Sequence, residues 1–217
     1  MKEIKLTIPL DEKTIRALKI GDVVYLNGEI FTARDEAHIH ALKFLKEGKE
    51  LPVKLKGAAV FHCGPIVQKK GEKWHLIAAG PTTSSRMNSL EPEFIEKFGV
   101  RAIVGKGGMS KPTLNAMKKF GCVYLAITGG AALLAAKGIR NVKDVHWLDL
   151  GMPEALWILE SENFGPLIVA MDAHGNSLYE KVEDDTKKSF SEIRKKLNLN
   201  WISTLLPSLN KAFNNTI

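Results

Sequence analysis

Cysteine is scarce in this chain: among its 217 residues, only Cys63 and Cys122 carry a thiol. The two lie far apart, each inside an apolar run, and we interpret both as buried thiols. A four-cysteine iron–sulfur cluster or a zinc ribbon needs more thiolates than these two residues supply. The cysteines of this chain therefore cannot form either kind of metal site by themselves.

Long hydrophobic runs are missing as well. No apolar run approaches the roughly 20 residues that a helix needs to cross a bilayer. Residues 1–5 are mostly polar and lack the apolar core of a signal peptide. We therefore predict a cytoplasmic protein that does not contact a membrane.

Acidic residues are fewer than basic ones, 24 against 31, which gives a formal net charge of +7. Such a balance can indicate a nucleic-acid-binding protein, which would combine basic clusters with exposed aromatic side chains. Here lysine and glutamate are interleaved through most predicted helices, and Trp74, Trp147 and Trp157 lie in apolar runs. We prefer a solvated surface of mixed charge, predict no nucleic-acid partner, and keep nucleic-acid binding as an alternative.

Short apolar runs, each followed by glycine and then by a helical pattern, predict an α/β fold. One run, residues 101–104, leads through a glycine-rich turn into a helix over residues 111–120. The unit repeats at residues 122–128, where two glycines precede a helix over residues 131–137. Successive units of this kind favour a parallel sheet. Further strand patterns indicate a second, antiparallel sheet; they cover residues 145–150, 155–159 and 166–171.

Two patterns predict β-hairpins. Asn27-Gly28 lies between strand patterns at residues 23–26 and 29–32, and this dipeptide favours a type I′ turn. A loop containing lysine and glycine joins residues 66–68 to residues 73–79. Because residues 74–79 are mostly apolar, we expect the last of these strands to be buried. The domain is predicted to span residues 1–197, with a C-terminal extension over residues 198–217.

Residues 80–88 carry four consecutive hydroxyl side chains followed by Arg86. Gly80-Pro81 ends the preceding strand pattern, and the hydroxyl residues stand where the next helical pattern would begin. The unpaired N–H groups of such a turn, together with an arginine, can bind a carboxylate or a phosphate. The alternative is a Ser/Thr helix cap beside a surface arginine.

Two further basic residues lie at junctions between a strand and a helix. Arg34 precedes a helical pattern that ends near residue 47, and Lys106 lies between two glycines. Each could bind an anion; alternatively, Arg34 pairs with Asp35 or Glu36, and Lys106 belongs to a surface turn. The order of glycine and lysine does not match a Walker P-loop, which argues against an ATPase. His62 lacks a second ligand at metal spacing, so we interpret it as a packed or surface side chain.

Several short motifs together resemble the β subunit of class I fumarate hydratases, a family that includes L(+)-tartrate dehydratase. The motifs are residues 32–35, 80–88, 105–109, 128–131 and 150–155. The resemblance covers roughly residues 1 to 190 and leaves out the tail beyond residue 197. In single-chain members of the family the same region is the C-terminal domain.

This resemblance implies a three-layer β/β/α swivelling domain with a central parallel sheet and a second antiparallel sheet. It also implies an α subunit as partner, in a dimer of αβ heterodimers. An oxygen-sensitive [4Fe-4S] cluster would be held by that α subunit, and its open iron would bind the substrate hydroxyl and carboxylate.

Carried over by motif, the resemblance assigns substrate-carboxylate contacts to Arg34, Arg86 and Lys106, and a catalytic hydroxyl to Thr82. The local sequence alone does not separate Thr82 from Thr83. The acid/base that abstracts the proton would belong to the α subunit. The implied reaction is the reversible hydration of fumarate to L-malate, with L(+)-tartrate dehydration as the alternative. A stand-alone anion-binding module stays open as a third interpretation.

The chemistry of such a reaction fits these residue types. Moving a proton at a carbon next to a carboxylate builds an aci-carboxylate with two negative charges, which fixed positive groups stabilise. The guanidinium of arginine binds both oxygens of a planar carboxylate, whereas lysine acts as a point charge for one oxygen.

Overall fold

The computed structural model describes residues 3–130 and 132–196 of the chain. The chain separates into two units, Met1–Leu178 and Tyr179–Ile217. The first unit holds all the described strands, and the second holds most of the last described helix. The predicted extension over residues 198–217 lies outside the described residues, so the boundary at residue 197 stays a prediction.

Strands and helices alternate through most of the described residues. The strands are β1 (Glu3–Thr7), β2 (Val23–Thr32), β3 (Ala59–Phe61), β4 (Ile66–Lys70), β5 (Lys73–Ala78), β6 (Ala102–Gly105), β7 (Val123–Ala126), β8 (Ile139–His146) and β9 (Leu156–Met171). The helices are α1 (Glu12–Ala17), α2 (Asp35–Lys46), α3 (Glu91–Phe98), α4 (Lys111–Phe120), α5 (Ala132–Lys137) and α6 (Leu178–Lys196). Short 3₁₀ helices lie at Ser84–Met87 and Leu148–Leu150. None of these helices combines the length and the hydropathy needed to cross a membrane.

Near neighbours in the sequence set several helix ends. Asp11 accepts a hydrogen bond from the Thr14 N–H at 2.8 Å, which caps the start of α1. Helices α3 and α4 end at Gly99 and Gly121, whose φ angles of 64° and 71° are left-handed. Because these caps depend on adjacent residues alone, the sequence pattern predicts the bounds of both helices.

The main sheet has a parallel part and an antiparallel part. Strands β1, β2, β3, β6 and β7 are parallel neighbours in that order. Strand β9 runs antiparallel to β7, β8 and β2, so it connects β7 back to β2. The central parallel sheet with a second antiparallel sheet confirms the predicted α/β class and its β/β/α layers.

Two hydrophobic cores separate the layers. The first includes Phe61, Trp157 and Phe164 and fills the space between the parallel and antiparallel parts of the sheet. The second includes Phe94 of α3 and Leu114 of α4, and it lies between the parallel strands and helices α2 to α4. The helices on this second face position the loops at the carboxyl ends of the parallel strands.

The predicted hairpin at Asn27-Gly28 is wrong, because β2 runs through both residues without a turn. Gly28 has a φ of 106°, and the register of β2 against β9 is irregular on both sides of Leu26. The Asn163 N–H donates to Asn27 Oδ1 at 2.9 Å, so the side chain satisfies an amide at the facing irregularity of β9. The dipeptide therefore marks a bulge within a strand instead of a reversal of the chain.

Three other strand predictions need correction. Residues 155–159 and 166–171 belong to one continuous strand, β9, and β8 ends at His146 instead of extending to residue 150. The predicted hairpin of β4 and β5 is confirmed, but it forms a separate two-stranded sheet. Residues of β5 alternate between exposed and partly buried, so the expectation of a buried strand is wrong there.

Candidate functional site

Loops at the carboxyl ends of four parallel strands meet at one edge of the sheet. Arg34 follows β2, Gly64 follows β3, Lys106 follows β6, and residues 127–130 follow β7. Residues 80–88, called the hydroxyl turn below, run between the loops after β3 and β6. The Thr82 N–H donates to the His62 carbonyl at 2.6 Å, and the Ser84 N–H donates to the Lys106 carbonyl at 3.0 Å. This edge therefore brings together the segments that carry all four sequence-predicted site residues.

The hydroxyl turn does not begin a regular α-helix. Its last part is the 3₁₀ helix Ser84–Met87, and the side chain of Thr83, which precedes that helix, makes no capping hydrogen bond. Thr83 is exposed, whereas Thr82 is partly buried and Ser84 is fully buried. The cap interpretation is thus wrong for Thr83.

Arg34 lies at the start of α2 in an enclosed position. Its Nη2 lies 3.2 Å from Glu154 Oε1, and the two side chains are 19% and 18% exposed. The other carboxylate oxygen of Glu154 accepts from the Glu36 N–H at 3.2 Å, which fixes Glu154 on the same helix end. The Nε of Arg34 is buried without a hydrogen-bond partner in the described residues. A buried donor without a partner is costly, so this atom is suited to an anion from outside the chain.

Glycine at position 64 makes room for this arginine. A Cβ there would lie 2.5 Å from Arg34 Nη1 and 3.0 Å from the Pro153 carbonyl oxygen. Pro153 belongs to the same segment as Glu154, the carboxylate partner of Arg34. The turn after β3 and the segment before β9 thus enclose the guanidinium from two sides.

Arg86 is in a more open position. Its Nε lies 3.2 Å from Asp35 Oδ1, its Nη2 lies 2.7 Å from Asp35 Oδ2, and its side chain is 49% exposed. Asp35 therefore pairs with Arg86, and Arg34 pairs with Glu154, whereas the sequence had suggested a pair between Arg34 and Asp35 or Glu36. Since Arg34 and Asp35 are adjacent, this pair brings Arg86 to the same helix start as Arg34.

Lys106 is partly buried, between β6 and the glycine-rich turn. Gly107 and Gly108 have φ angles of 82° and 73°, which glycine adopts at little cost. A Cβ at Gly129 would lie 3.6 Å from Lys106 Cδ, so the lysine stem runs past the turn after β7. No carboxylate of the described residues forms an ion pair with Lys106, so its ammonium can meet a ligand.

Sequence reasoning missed a buried polar cluster directly behind this edge. It joins His38 of α2, His62 after β3 and Glu91 of α3, all fully buried. Glu91 Oε2 lies 3.3 Å from His38 Nε2 and 3.0 Å from His62 Nε2. Both contacts are ion-pair distances without the alignment of a full N–H···O hydrogen bond. His62 is thus a packed residue, as expected, but it is packed against a carboxylate.

The shifts of the pKa values within the cluster have opposing causes. Burial raises the pKa of Glu91, but the two imidazoles outweigh this effect and hold its pKa at about 2. Burial lowers the pKa of His38, but the negative charge of Glu91 outweighs it and raises that pKa. For His62 burial prevails and its pKa is lowered. Of the two histidines, His38 is thus the one whose charged form the cluster favours.

A sequence signal for this cluster does exist. His38 follows Arg34 by four residues, which is one turn of a helix, and its Nδ1 lies 2.7 Å from the Arg34 carbonyl oxygen. Glu91 stands where α3 begins, a position at which an acidic residue is common for reasons of the helix dipole alone. Pairing His38 with Glu91 requires the tertiary structure, because 53 positions separate them in the chain.

The two cysteines do not form a site. Cys63 belongs to the first hydrophobic core and Cys122 to the second. Burial raises the pKa of the Cys63 thiol to about 12 and that of Cys122 well above its usual value. The two thiols therefore lie in separate cores and are not neighbours in one cluster of ligands.

Comparison with known proteins gives consistent matches over most of the chain. A family model described as "Fumarase C-terminus" matches residues 1–182. A protein of Methanocaldococcus jannaschii, provisionally named L(+)-tartrate dehydratase subunit beta, is 50% identical over 185 residues, which cover 85% of this chain and 95% of that protein. The L(+)-tartrate dehydratase subunit beta of Escherichia coli is 44% identical over 194 residues, which cover 89% of this chain and 92% of that protein.

A third relative is a longer protein. It comes from Geobacillus stearothermophilus, carries the provisional name fumarate hydratase class I, and is 44% identical over 192 residues. The match covers 88% of this chain but only 36% of that protein. The chain is thus similar both to separate β subunits and to one part of a larger chain.

Proposed function

The chain belongs to the fumarase C-terminus family and to its fumarate and tartrate dehydratase β subunits, and from this membership we propose that it is the β subunit of a hydro-lyase acting on a four-carbon dicarboxylate. The partner in this proposal is the corresponding α subunit, which carries the [4Fe-4S] cluster. The chain has only two cysteines, and their placement in separate cores supports a cluster held by the other chain.

The observation that carries the proposal is the buried Nε of Arg34, which has no partner among the described residues. Around it, the same sheet edge holds the guanidinium of Arg86 and the ammonium of Lys106. The acidic partners of this edge are Asp35 and Glu154, so the basic groups outnumber the acidic ones by three to two. A surplus of fixed positive groups suits a ligand with more than one carboxylate.

The four side chains have separate roles in the proposed reaction. Arg34 and Arg86 bind substrate carboxylates, because each guanidinium can donate to both oxygens of one group. Lys106 places one positive charge on a single oxygen. Loss of the proton next to a carboxylate builds negative charge on these oxygens, and the preorganised donors stabilise it. The Thr82 hydroxyl, partly buried at the edge, contacts the reacting part of the substrate.

L(+)-tartrate is the substrate that the relatives favour. The two relatives named for tartrate dehydratase match this chain over nearly their whole length, at 50% and 44% identity. Fumarate is the second candidate, because the relative named for fumarate hydratase is 44% identical over its matching part. In both reactions water leaves or joins a carbon next to a carboxylate, so the same basic residues serve either substrate.

The test is reconstitution without oxygen. The chain is co-expressed with its α subunit, the complex is purified, and dehydration of L(+)-tartrate and of L-malate and hydration of fumarate are measured. We expect turnover by the complex, with L(+)-tartrate preferred, and none by the chain alone. A complex that assembles with a full cluster yet turns over none of these compounds would overturn the proposal. The mass of the complex tests the proposed dimer of αβ heterodimers.

A further inference from the structure

The buried cluster behind the sheet edge continues in both directions as a chain of polar contacts. On one side, the Tyr124 hydroxyl donates to Ser84 Oγ at 2.9 Å, and Ser84 Oγ lies 2.9 Å from His62 Nδ1. On the other side, His38 Nδ1 lies 2.7 Å from the Arg34 carbonyl oxygen. Glu91 connects the two halves. The contacts thus begin at Tyr124 in β7 and end at the carbonyl oxygen of Arg34. Between these ends they pass through Ser84, His62, Glu91 and His38.

The proton positions on the Ser84 side follow from donors and acceptors. Ser84 Oγ accepts from Tyr124, so its own proton is available for His62 Nδ1. His62 then carries its proton on Nε2, the nitrogen that lies 3.0 Å from the Glu91 oxygen. The opposite tautomer would place a lone pair against an ionised carboxylate in a buried site, which is unfavourable.

The Arg34 side of the chain requires a second proton. A carbonyl oxygen only accepts, so His38 Nδ1 must carry the proton that faces Arg34. His38 Nε2 faces the same Glu91 oxygen at 3.3 Å. A proton on this nitrogen as well makes His38 an imidazolium, whose charge compensates the buried carboxylate.

We propose that His38, Glu91 and His62 form a charged positioning triad, which holds the Arg34 main chain and the hydroxyl turn in fixed relation across β3. The three are positioning residues because they act on the anion site through the Arg34 carbonyl and through Ser84. The protonation pattern is independent of the function proposed above, whereas the expected effect on turnover rests on that proposed function.

The surroundings of His38 fit a single positive charge. Glu91 faces it from α3, and Asp35 adds a second negative charge from its own helix. The His62 ring lies with its centroid 5.3 Å from that of His38, and two imidazolium groups at this separation would repel each other. His62 therefore stays neutral while His38 is charged.

Three side chains of kinds that bind metals, two histidines and one glutamate, also meet here, so a divalent cation is the competing occupant. A metal bound by both Nε2 atoms would require His62 to carry its proton on Nδ1. Ser84 Oγ would then accept from both Tyr124 and His62, and the serine's own proton would lose His62 Nδ1 as its acceptor. The hydrogen-bond order therefore favours protons at both Nε2 positions.

The first test needs no catalysis. Nitrogen-15 NMR of the uniformly labelled full chain reports the protonation of each histidine nitrogen between pH 6 and pH 9. We expect His38 doubly protonated at pH 7.5 and His62 neutral with its proton on Nε2. A neutral His38 at that pH, or one equivalent of a divalent metal by elemental analysis of chain purified without chelator, would overturn the triad.

Glu91→Gln is the variant that removes the charge and keeps the shape. Both Nε2 atoms face the same oxygen of Glu91, so an amide oxygen at that place can accept from His62 but offers no negative charge to hold a second proton on His38. We expect a folded chain in which His38 loses its proton on Nε2 and keeps the one on Nδ1. A His38 that stays doubly protonated in this variant contradicts its pairing with Glu91.

The second test uses the complex with its α subunit and asks whether the triad positions the site. Ser84→Ala removes the link to the hydroxyl turn, and Ser89→Ala is the matched control, because Ser89 is an exposed serine outside the turn. We expect kcat/KM to fall about tenfold for Ser84→Ala and to stay within about twofold for Ser89→Ala, since displacement of preorganised groups slows the reaction.

The two kinds of failure are distinguishable. If wild-type complex with a full cluster turns over no dicarboxylate, the proposed function fails while the NMR experiments still decide the triad. If the wild type is active and Ser84→Ala changes the His62 tautomer without lowering kcat/KM, the positioning role is overturned.

Discussion

The two arginines at the sheet edge occupy different surroundings. Arg34 is 19% exposed, is enclosed by Gly64 and the segment of Pro153, and has a main-chain oxygen held by His38. Arg86 is 49% exposed and contacts Asp35 from a short 3₁₀ helix. A donor fixed before the substrate arrives stabilises developing charge best, whereas an open side chain must first be ordered by the ligand. We infer that Arg34 serves the transition state and that Arg86 serves mainly the binding of the substrate.

The largest effect is expected for Arg34→Lys in the complex. Lysine keeps the charge but cannot present the buried Nε and the paired Nη atoms together. We expect kcat to fall about 10³-fold while the melting temperature changes little. Steady-state rates under anaerobic conditions measure this. A kcat within about tenfold of wild type would mean that Arg34 has no special role in the reaction.

Arg86→Lys should cost less and should change a different parameter. Because the side chain is half exposed, we expect kcat/KM to fall about 10²-fold, mainly through a higher KM. The same rate measurements over a range of substrate concentrations separate the two parameters. An equal loss of kcat in both arginine variants would remove the distinction between them.

The variants Thr82→Val and Thr83→Val compare two neighbouring hydroxyl groups of the hydroxyl turn. That of Thr82 is partly buried, and that of Thr83 is exposed. Valine has nearly the same shape as threonine without the hydroxyl group. We expect Thr82→Val to lower turnover by about tenfold to 10²-fold with an unchanged melting temperature, and Thr83→Val to retain turnover. If Thr83→Val loses turnover and Thr82→Val keeps it, the assignment shifts by one residue.

The acidic partners of the arginines give smaller effects. Glu154→Gln loosens Arg34, so we expect KM or kcat to change by about fivefold to tenfold, in line with a partly buried ion pair. Asp35→Asn releases Arg86, which is already open, and should change kcat/KM by less than about threefold. Matched assays of both variants test the contrast, and a larger loss for Asp35→Asn would reverse it.

The smallest effect concerns Cys63, which lies beside the turn that encloses Arg34. Because burial raises its pKa to about 12, the thiol stays protonated as pH rises from 7 to 9. We expect neither cysteine of the native chain to react with iodoacetamide over this range, and both to react in denaturant. Mass spectrometry counts the adducts; rapid labelling of native Cys63 would show that the Arg34 region opens.

Local signals in the sequence predict much of the fold. Helices α3 and α4 have the predicted bounds because proline near their starts and glycine at their ends act on adjacent residues. The bulge at Asn27-Gly28 was not predictable in this way. Its geometry depends on β9, which lies more than a hundred residues later in the chain. A strong turn signal thus gave way to pairing with a distant strand.

The same distinction between local sequence signals and distant contacts applies to the candidate site. The resemblance of the motifs assigns Arg34, Arg86, Lys106 and Thr82, and the structure brings their segments to one edge, while their roles stay predictions. Glu154 and the His38–Glu91–His62 triad were not identified, because each acts through contacts between segments that are distant in sequence.

The buried contact between Ser84 and His62 depends on glycine at residue 105. A Cβ at this position would lie 2.0 Å from Ser84 Oγ, 3.1 Å from the Tyr124 hydroxyl oxygen and 3.4 Å from Ser84 Cβ. Even the Cβ of an alanine at residue 105 is therefore incompatible with the Ser84 hydroxyl in its present place, and it would crowd the Tyr124 hydroxyl as well. Residues 84 and 105 are therefore coupled, because a side chain at residue 105 would displace the Ser84 hydroxyl from its contact with His62.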